Sequence, residues 1–298
     1  MMNIISRSDI QHLVTDKLPV LDDSIRDLCG RRVRRIDRYI ELCLLGALRC
    51  TREQDLPAET GLFLASQNSA VASVVTVMQS IFDEHYPPKP FDFVNTLGNT
   101  ACFYVAQLLG LSGKSIGISR EGFSFEAGLQ HALLDVKSGQ LETALIGCVD
   151  EALLPVSLHR ERISYDKDTP IEGSLGENST WLLLSKPSST DGISLDTVLD
   201  LESQVDVLAW LDDNPAAQTC YMQTCYPLSQ VERKAFTAQV TTLEEYQAPF
   251  AVAGSNTNSA TSILALLANK KIHDEYTSLL HLNKNDDGNY VLVRFTRN

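Results

Sequence analysis

The sequence predicts an α/β protein, a largely parallel sheet covered by helices and laid out in two halves of similar grammar. Residues 114–149 read strand, helix, strand with short joints, a βαβ unit that requires a parallel strand pair and a right-handed crossover. The run Gly61-Leu-Phe-Leu-Ala65 is apolar throughout rather than alternating, as a strand buried on both faces is. The strand-then-helix order then returns at residues 248–254 and 258–269, with a closing strand at 290–295.

The elements follow in order. Val33, Ile36, Ile40, Cys43, Leu44, Ala47 and Leu48 recur at helical spacing and predict an amphipathic helix over residues 33–48. After the strand at Gly61–Ala65, Ser69–Tyr86 reads as a helix that Pro87, Pro88 and Pro90 stop. Asn99–Leu109 is another, with Gly110 at the position glycine favours past a C-terminus. Lys114–Ser119 is a strand, and Ser124–Ser138 a helix carrying Phe125, Leu129, Ala132, Leu133 and Val136 on one side. Gly139 closes that helix, and Ala144–Val149 and Trp181–Leu184 are further strands. Ser188-Ser189-Thr190-Asp191-Gly192 is a junction signal and divides residues 1–187 from 188–298. The stretch from there to residue 247 is the least legible part of the chain.

Composition narrows the function classes. Of 298 residues, 44% are hydrophobic and 21% charged, which is ordinary for a globular protein. A net charge of −13 argues against nucleic acid and against anionic lipid as partners. No apolar stretch is long enough to cross a bilayer, and Arg7, Asp9, Asp16 and Lys17 rule out a signal peptide over residues 1–19. The seven cysteines form no Cys-x-x-Cys pair, and their odd number points to reduced, packed thiols and a cytoplasmic protein. One local exception to the acidic balance is Arg31-Arg32-Val33-Arg34-Arg35-Ile36-Asp37-Arg38, either a solvated face or a docking patch.

Ile118-Ser119-Arg120-Glu121-Gly122-Phe123-Ser124 sits at a strand-to-helix turn and resembles the Ile-Ser-Thr-Ala-Cys-Ala-Ser of β-ketoacyl-acyl carrier protein synthases. Arg34-Arg35-Ile36-Asp37-Arg38-Tyr39 resembles their Arg-Arg-Met-Asp-Arg-Phe, and Asn99 to Gly113 the helix and Gly-Leu-x-Gly turn before their nucleophile strand. Leu145 to Ala152 is similar to the strand ending Gly-Gly-Thr-Glu-Ala. Tyr165-Asp166-Lys167-Asp168 and Gly176-Glu177 resemble Phe-Asp-x-Asp and Gly-Glu-Gly-Ala. The matches run in order over about residues 30–186. The resemblance implies the thiolase fold: five layers, αβαβα, with two pseudo-equivalent halves, the second abbreviated, and a dimer two-fold beside the nucleophile strand.

Gly122 stands where the family carries its acyl-accepting cysteine. The family's two catalytic histidines lie in its C-terminal half, but this chain has no histidine between His159 and His273. The candidate second site, Ala253-Gly254-Ser255-Asn256-Thr257-Asn258, offers only amide and hydroxyl groups. Glu121 places a carboxylate at the helix end that would otherwise favour a thiolate, and Ser124 reads as the helix cap. Cys102 and Cys148 read as packed thiols, Cys220 and Cys225 as no zinc knuckle, and no cofactor is implied.

These residues imply a subunit with no catalytic residue of its own. The resemblance is to a chain-length factor, paired with an active β-ketoacyl-acyl carrier protein synthase in type II polyketide or fatty-acid-like biosynthesis, aryl polyene pathways included. Acyl carrier protein is then met indirectly, through the partner. The expected partner interface is Ile116, Ile118, Arg120 and Glu121. Phe103 and Tyr104 are candidates for the wall of the partner's acyl tunnel, or else ordinary core. The other readings are a divergent acyltransferase with a different nucleophile and a stand-alone acyl-binding scaffold.

Overall fold

The computed structural model describes residues 1–164, 173–187, 192–252 and 255–297. The Tyr165–Asp168 motif, Ala253 and Gly254, and residues 188–191 of the junction lie outside the described residues. The N-terminal half runs β1 (Met2–Leu13), α1 (Asp22–Cys29), α2 (Arg38–Thr51), β2 (Gly61–Ala65), α3 (Val71–Phe82), α4 (Pro90–Asn95), α5 (Thr100–Leu109), β3 (Ser115–Ile118), α6 (Ser124–Lys137), β4 (Thr143–Asp150), α7 (Val156–Ile163) and β5 (Leu175–Ser185). The C-terminal half follows with β6 (Ile193–Leu201), α8 (Gln204–Asp213), α9 (Pro215–Gln218), β7 (Cys220–Thr224), α10 (Gln230–Thr237), β8 (Thr242–Glu245), β9 (Ala251–Val252), α11 (Ser255–Ala268), α12 (Lys270–Glu275), β10 (Ser278–Lys284) and β11 (Tyr290–Arg297).

Strand order shows the internal repeat that residue identity hides. The first half is ordered β3-β2-β4-β5-β1 and the second β8-β7-β10-β11-β6. Counted within each half, with the two-residue β9 that pairs with β5 set aside, both read third, second, fourth, fifth, first. In each, the fifth strand so counted runs against its neighbours, and the three strands farthest from the β1–β6 junction are parallel. The two sets join where β1 meets β6, at Met2↔Leu195 and Asn3↔Ser194. Helices α2 and α5 cover the outer face of the first set, and α8 and α10 that of the second. Between the sets lie α6 and α11, each touching strands of both. The layers are therefore αβαβα, with α6 buried on nearly every side, from Ser124 through Leu129.

Two local features differ from the sequence expectation or sharpen it. The helix expected over 33–48 starts only at Arg38, because Asp37 caps it by accepting the Ile40 N–H at 3.0 Å, and Arg35 just before has a left-handed φ of 64°. Val33 and Ile36 therefore precede the helix rather than lying on its stripe. Trp181, fully buried in β5, presses on two glycines. A Cβ at Gly46 of α2 would sit 2.3 Å from its Nε1, and one at Gly147 of β4 2.6 Å from its six-membered ring.

Candidate functional site

In open α/β sheets, ligands bind beyond the carboxyl ends of the parallel strands. Here those ends are Ala65 of β2, Ile118 of β3 and Asp150 of β4. The chain leaves β3 through a tight turn in which the Phe123 N–H donates to the Arg120 carbonyl at 3.0 Å. Gly122, at φ 73°, supplies the left-handed residue this turn needs. Ser124 does not cap the helix as expected. Its Oγ accepts the Arg120 N–H and donates to the Arg120 carbonyl, both at 2.8 Å, which braces the turn from inside.

Behind Gly122 lies a buried polar network that the sequence reading missed. The Gly122 carbonyl accepts from Asn283 Nδ2 at 2.8 Å, and the same amide donates to Glu126 Oε1 at 2.7 Å. Ser259 Oγ of α11 also donates to Glu126 Oε1, and lies 2.9 Å from His281 Nε2. His281 Nδ1 is 3.4 Å from Ser262 Oγ, which accepts from Gln223 Nε2 at 2.8 Å. Burial drives the His281 pKa down to about 3, so the ring is neutral and the 3.9 Å approach to Glu126 is no ion pair. The bonds then fix one tautomer, with Nε2–H donating to Ser259 and Nδ1 accepting from Ser262. Burial pushes Glu126 up to about 7, against the hydrogen bonds from Ser259 and Asn283.

A second group of buried carboxylates closes the ends of β4 and β5. Asp150 Oδ1 accepts from Ser66 Oγ at 2.8 Å and from the Gln67 N–H at 3.0 Å, and burial pushes Asp150 to about 7. Burial also raises Glu151, whose Oε1 accepts the Ala72 N–H at 2.8 Å. Burial pushes Glu177 up too, but hydrogen bonds from His12 (3.0 Å) and Arg38 outweigh it and hold the carboxyl below its usual range. Arg38 and Glu177 come from two separate motifs of the sequence resemblance, and the fold joins them as an ion pair.

The chemistry left to this site is limited. Cys148 is fully buried with its thiol pushed far up by burial, and Cys102 is raised to about 11 for the same reason. The Cys225 thiol donates to Asn283 Oδ1 at 3.0 Å and is likewise raised. None is a thiolate at neutral pH. Among the described residues no cluster of His, Cys, Asp and Glu could hold a metal ion, and no helix is long and apolar enough to cross a membrane.

The other singled-out residues fall in different places. Ile116 and Ile118 are half-buried and turn toward the core between the sheets, so on β3 the outward residues are Ser115 and Gly117. Arg120 reaches Asp200 of β6 at 2.9 Å and stacks on Phe123, while Glu121 is exposed. Tyr104 packs against the outer core, whereas Phe103 is 59% exposed and is not core.

No family model and no curated protein matches this chain. Solved structures do. The ishigamide ketosynthase/chain length factor superposes with a TM-score of 0.75 at 14% identity, covering 99% of both chains. The fold is that of the thiolase-type ketosynthases. A type II polyketide ketosynthase in complex with its acyl carrier protein, AntDE:AntF, also gives a TM-score of 0.75, at 11% identity over 100% of this chain and 99% of that one. The 3-oxoacyl-[acyl-carrier-protein] synthase III of Aquifex aeolicus VF5 gives 0.59 at 12% identity, covering 99% and 100%. At these identities the likeness establishes the thiolase fold of this chain and leaves its chemistry to its own residues.

Proposed function

We propose that this chain is a non-catalytic subunit of chain-length-factor type, which pairs with an active β-ketoacyl-acyl carrier protein synthase and shapes that partner's acyl tunnel. The closed site carries this reading. Where a nucleophile would stand, Gly122 offers none, and buried Glu126, Ser259, His281 and Asn283 occupy the space behind it. Its structural neighbours include ketosynthase/chain length factor pairs, the assembly this role requires.

The edge of the sheet supports a partner. Among the described residues β3 pairs only with β2, which leaves its outer side open to another chain. Helix α5 packs on β3, α4 on α5 and α3 on α4, and these helices leave Met78, Phe82, Phe93, Val94, Leu97 and Phe103 exposed. Apolar surface of this kind, gathered beside an open edge, marks a protein interface. In this arrangement Phe103 points toward the partner, and acyl carrier protein is met through the synthase. The pathways that fit are type II polyketide or fatty-acid-like, aryl polyene biosynthesis among them.

Co-expression with a synthase that retains Cys and two His is expected to give a stable complex. Changing Leu97→Asp together with Phe103→Asp should abolish co-purification while leaving the melting temperature of the free subunit within a few degrees. A complex of undiminished affinity overturns the interface. Stable acylation of the isolated chain by a radiolabelled acyl thioester overturns the non-catalytic role.

A further inference from the structure

Helix α3 is held at its start by groups from other elements. Ala70 at its N-cap offers no side-chain acceptor, and Val77 is the one buried residue among its twelve. The missing cap comes from the end of β4, where Glu151 Oε1 accepts the Ala72 N–H at 2.8 Å. Asp150 beside it holds the preceding loop, residues 66–70. Its Oδ1 accepts from Ser66 Oγ at 2.8 Å, from the Gln67 N–H at 3.0 Å and from the Asn68 N–H at 3.4 Å. Ser66 Oγ in turn accepts the Ser69 N–H at 2.8 Å. Ser69 is kept at a left-handed φ of 49°, a conformation that a non-glycine residue holds only where its surroundings enforce it. A third carboxylate, Asp37, takes the Ser73 hydroxyl at 2.5 Å.

These tethers are poorly suited to carrying charge. Asp150 and Glu151 are each 2% exposed, and Asp150 Oδ2 and Glu151 Oε2 meet no donor. Burial raises both carboxyls, Asp150 to about 7. Arg162 of α7, with the neutral His159 beside it, faces both, yet among the described residues neither carboxyl forms an ion pair with it. Asp37 and Glu177 face Glu151 with the same sign, and Glu177 is already joined to Arg38 and His12. Tyr39 and Cys43 of α2 and Cys148 of β4 complete the surroundings, all pushed well up by burial and neutral.

We propose that residues 66–70 and the first turn of α3 form a latch, closed on protonated Asp150 and Glu151 and released when these carboxyls ionise. The sign follows from linkage. Opening carries the carboxyls into water, where they ionise in the ordinary carboxylate range. Raising the pH from there favours the open form until the closed form has ionised too. Opening also relieves the backbone of Ser69, and the little apolar burial on α3 does not resist it. The exposed Met78 and Phe82 lie farther along the same helix, so release loosens that part of the apolar surface. Every tether lies within this chain, so the latch stands whether or not a synthase binds.

Hydrogen exchange read by mass spectrometry on the isolated full-length chain tests it, with rates corrected for the intrinsic effect of pH. Between pH 5.5 and 7.5 the protection of residues 67–76 is expected to fall at least tenfold, as one carboxyl with a closed-form midpoint near 7 requires, while the amides of β4 keep theirs. Asp150→Asn combined with Glu151→Gln keeps both acceptor oxygens but has no proton to lose, so its protection should not change over this interval. Should the pair fail to fold, Asp150→Asn alone decides, with a fall at least tenfold smaller than that of the wild type. The latch is refuted by wild-type protection that does not vary with pH, or by a folded variant whose protection falls as the wild type's does. It is refuted equally if β4 loses protection in step with α3, because the whole molecule is then opening.

Discussion

At the scale of single residues, the decisive pair is Gly122 and Glu126. The turn from β3 requires a left-handed residue, and Gly122 meets that need at φ 73°. A side chain there costs about 1–2 kcal/mol. Burial holds Glu126 near 7, and the nearby cation, Arg120, is paired with Asp200 at 2.9 Å. Gly122→Cys alone is therefore expected to melt a few degrees lower and to show no malonyl decarboxylation without a partner; turnover above background in a radiometric assay would contradict this. The sequence drew attention to Glu121, the acid next to the glycine, which turns out to be exposed. Glu126 went unnoticed because a carboxylate one turn into a helix normally faces water. Its neighbours held the signal. Ala127 and Gly128 leave room for close packing, and the helix is buried on nearly every side, so its polar residues have to find partners inside.

At the scale of elements, the apolar runs of β2 and β4 were legible and the long β1, which faces two environments, was not. β2 and β4 are buried along almost their whole length and were readable as apolar runs. β1 is not. Its twelve residues alternate between buried and exposed, and Arg7 reaches across to the Leu267 carbonyl at 2.6 Å, so its charges resembled those of a surface segment. The close approach of β4 to β5 gives an element-level prediction. Gly147→Ala places a methyl 2.6 Å from the buried Trp181 ring, and overpacking of this kind costs about 1–3 kcal/mol. A melting temperature equal to that of the wild type would show that the ring can shift at no cost. Phe103 predicts the reverse. Because it is 59% exposed, Phe103→Ala should change stability by no more than about 0.5 kcal/mol. If the proposed pairing with a synthase holds, the same change should lengthen the product by one or more extension units, and unchanged product length would overturn the proposed tunnel role of Phe103.

At the scale of the whole molecule, two halves of the same topology are held together in part through the Glu126 network. Glu126 and Gly122 belong to the first half, Ser259, Ser262, His281 and Asn283 to the second, so the protonation of one carboxyl bears on how the halves meet. The signs can be worked out group by group. Glu126 and Asp150 are raised from their ordinary range to about 7, so the stability each contributes is full below about pH 4.5 and is lost as pH rises through 7. His281 and His159 are lowered to about 3 and about 4, chiefly by burial, so stability falls in acid as pH drops below about 6.5. Above pH 6.5 both histidines are neutral whether folded or unfolded, and of these four groups only the carboxyls still act. Between pH 6.5 and 8 each then removes roughly 1 kcal/mol, a few degrees of melting temperature for a chain of this size. Glu126→Gln keeps the Oε1 acceptor for Ser259 and Asn283 but has no proton to lose. Its melting temperature should fall less than that of the wild type over this interval, and Asp150→Asn in the same chain should flatten the curve further, with buried Glu151 contributing to what remains. Identical slopes for wild type and Glu126→Gln would mean that this carboxyl is already ionised in the folded protein, with the joint between the halves carrying a buried negative charge.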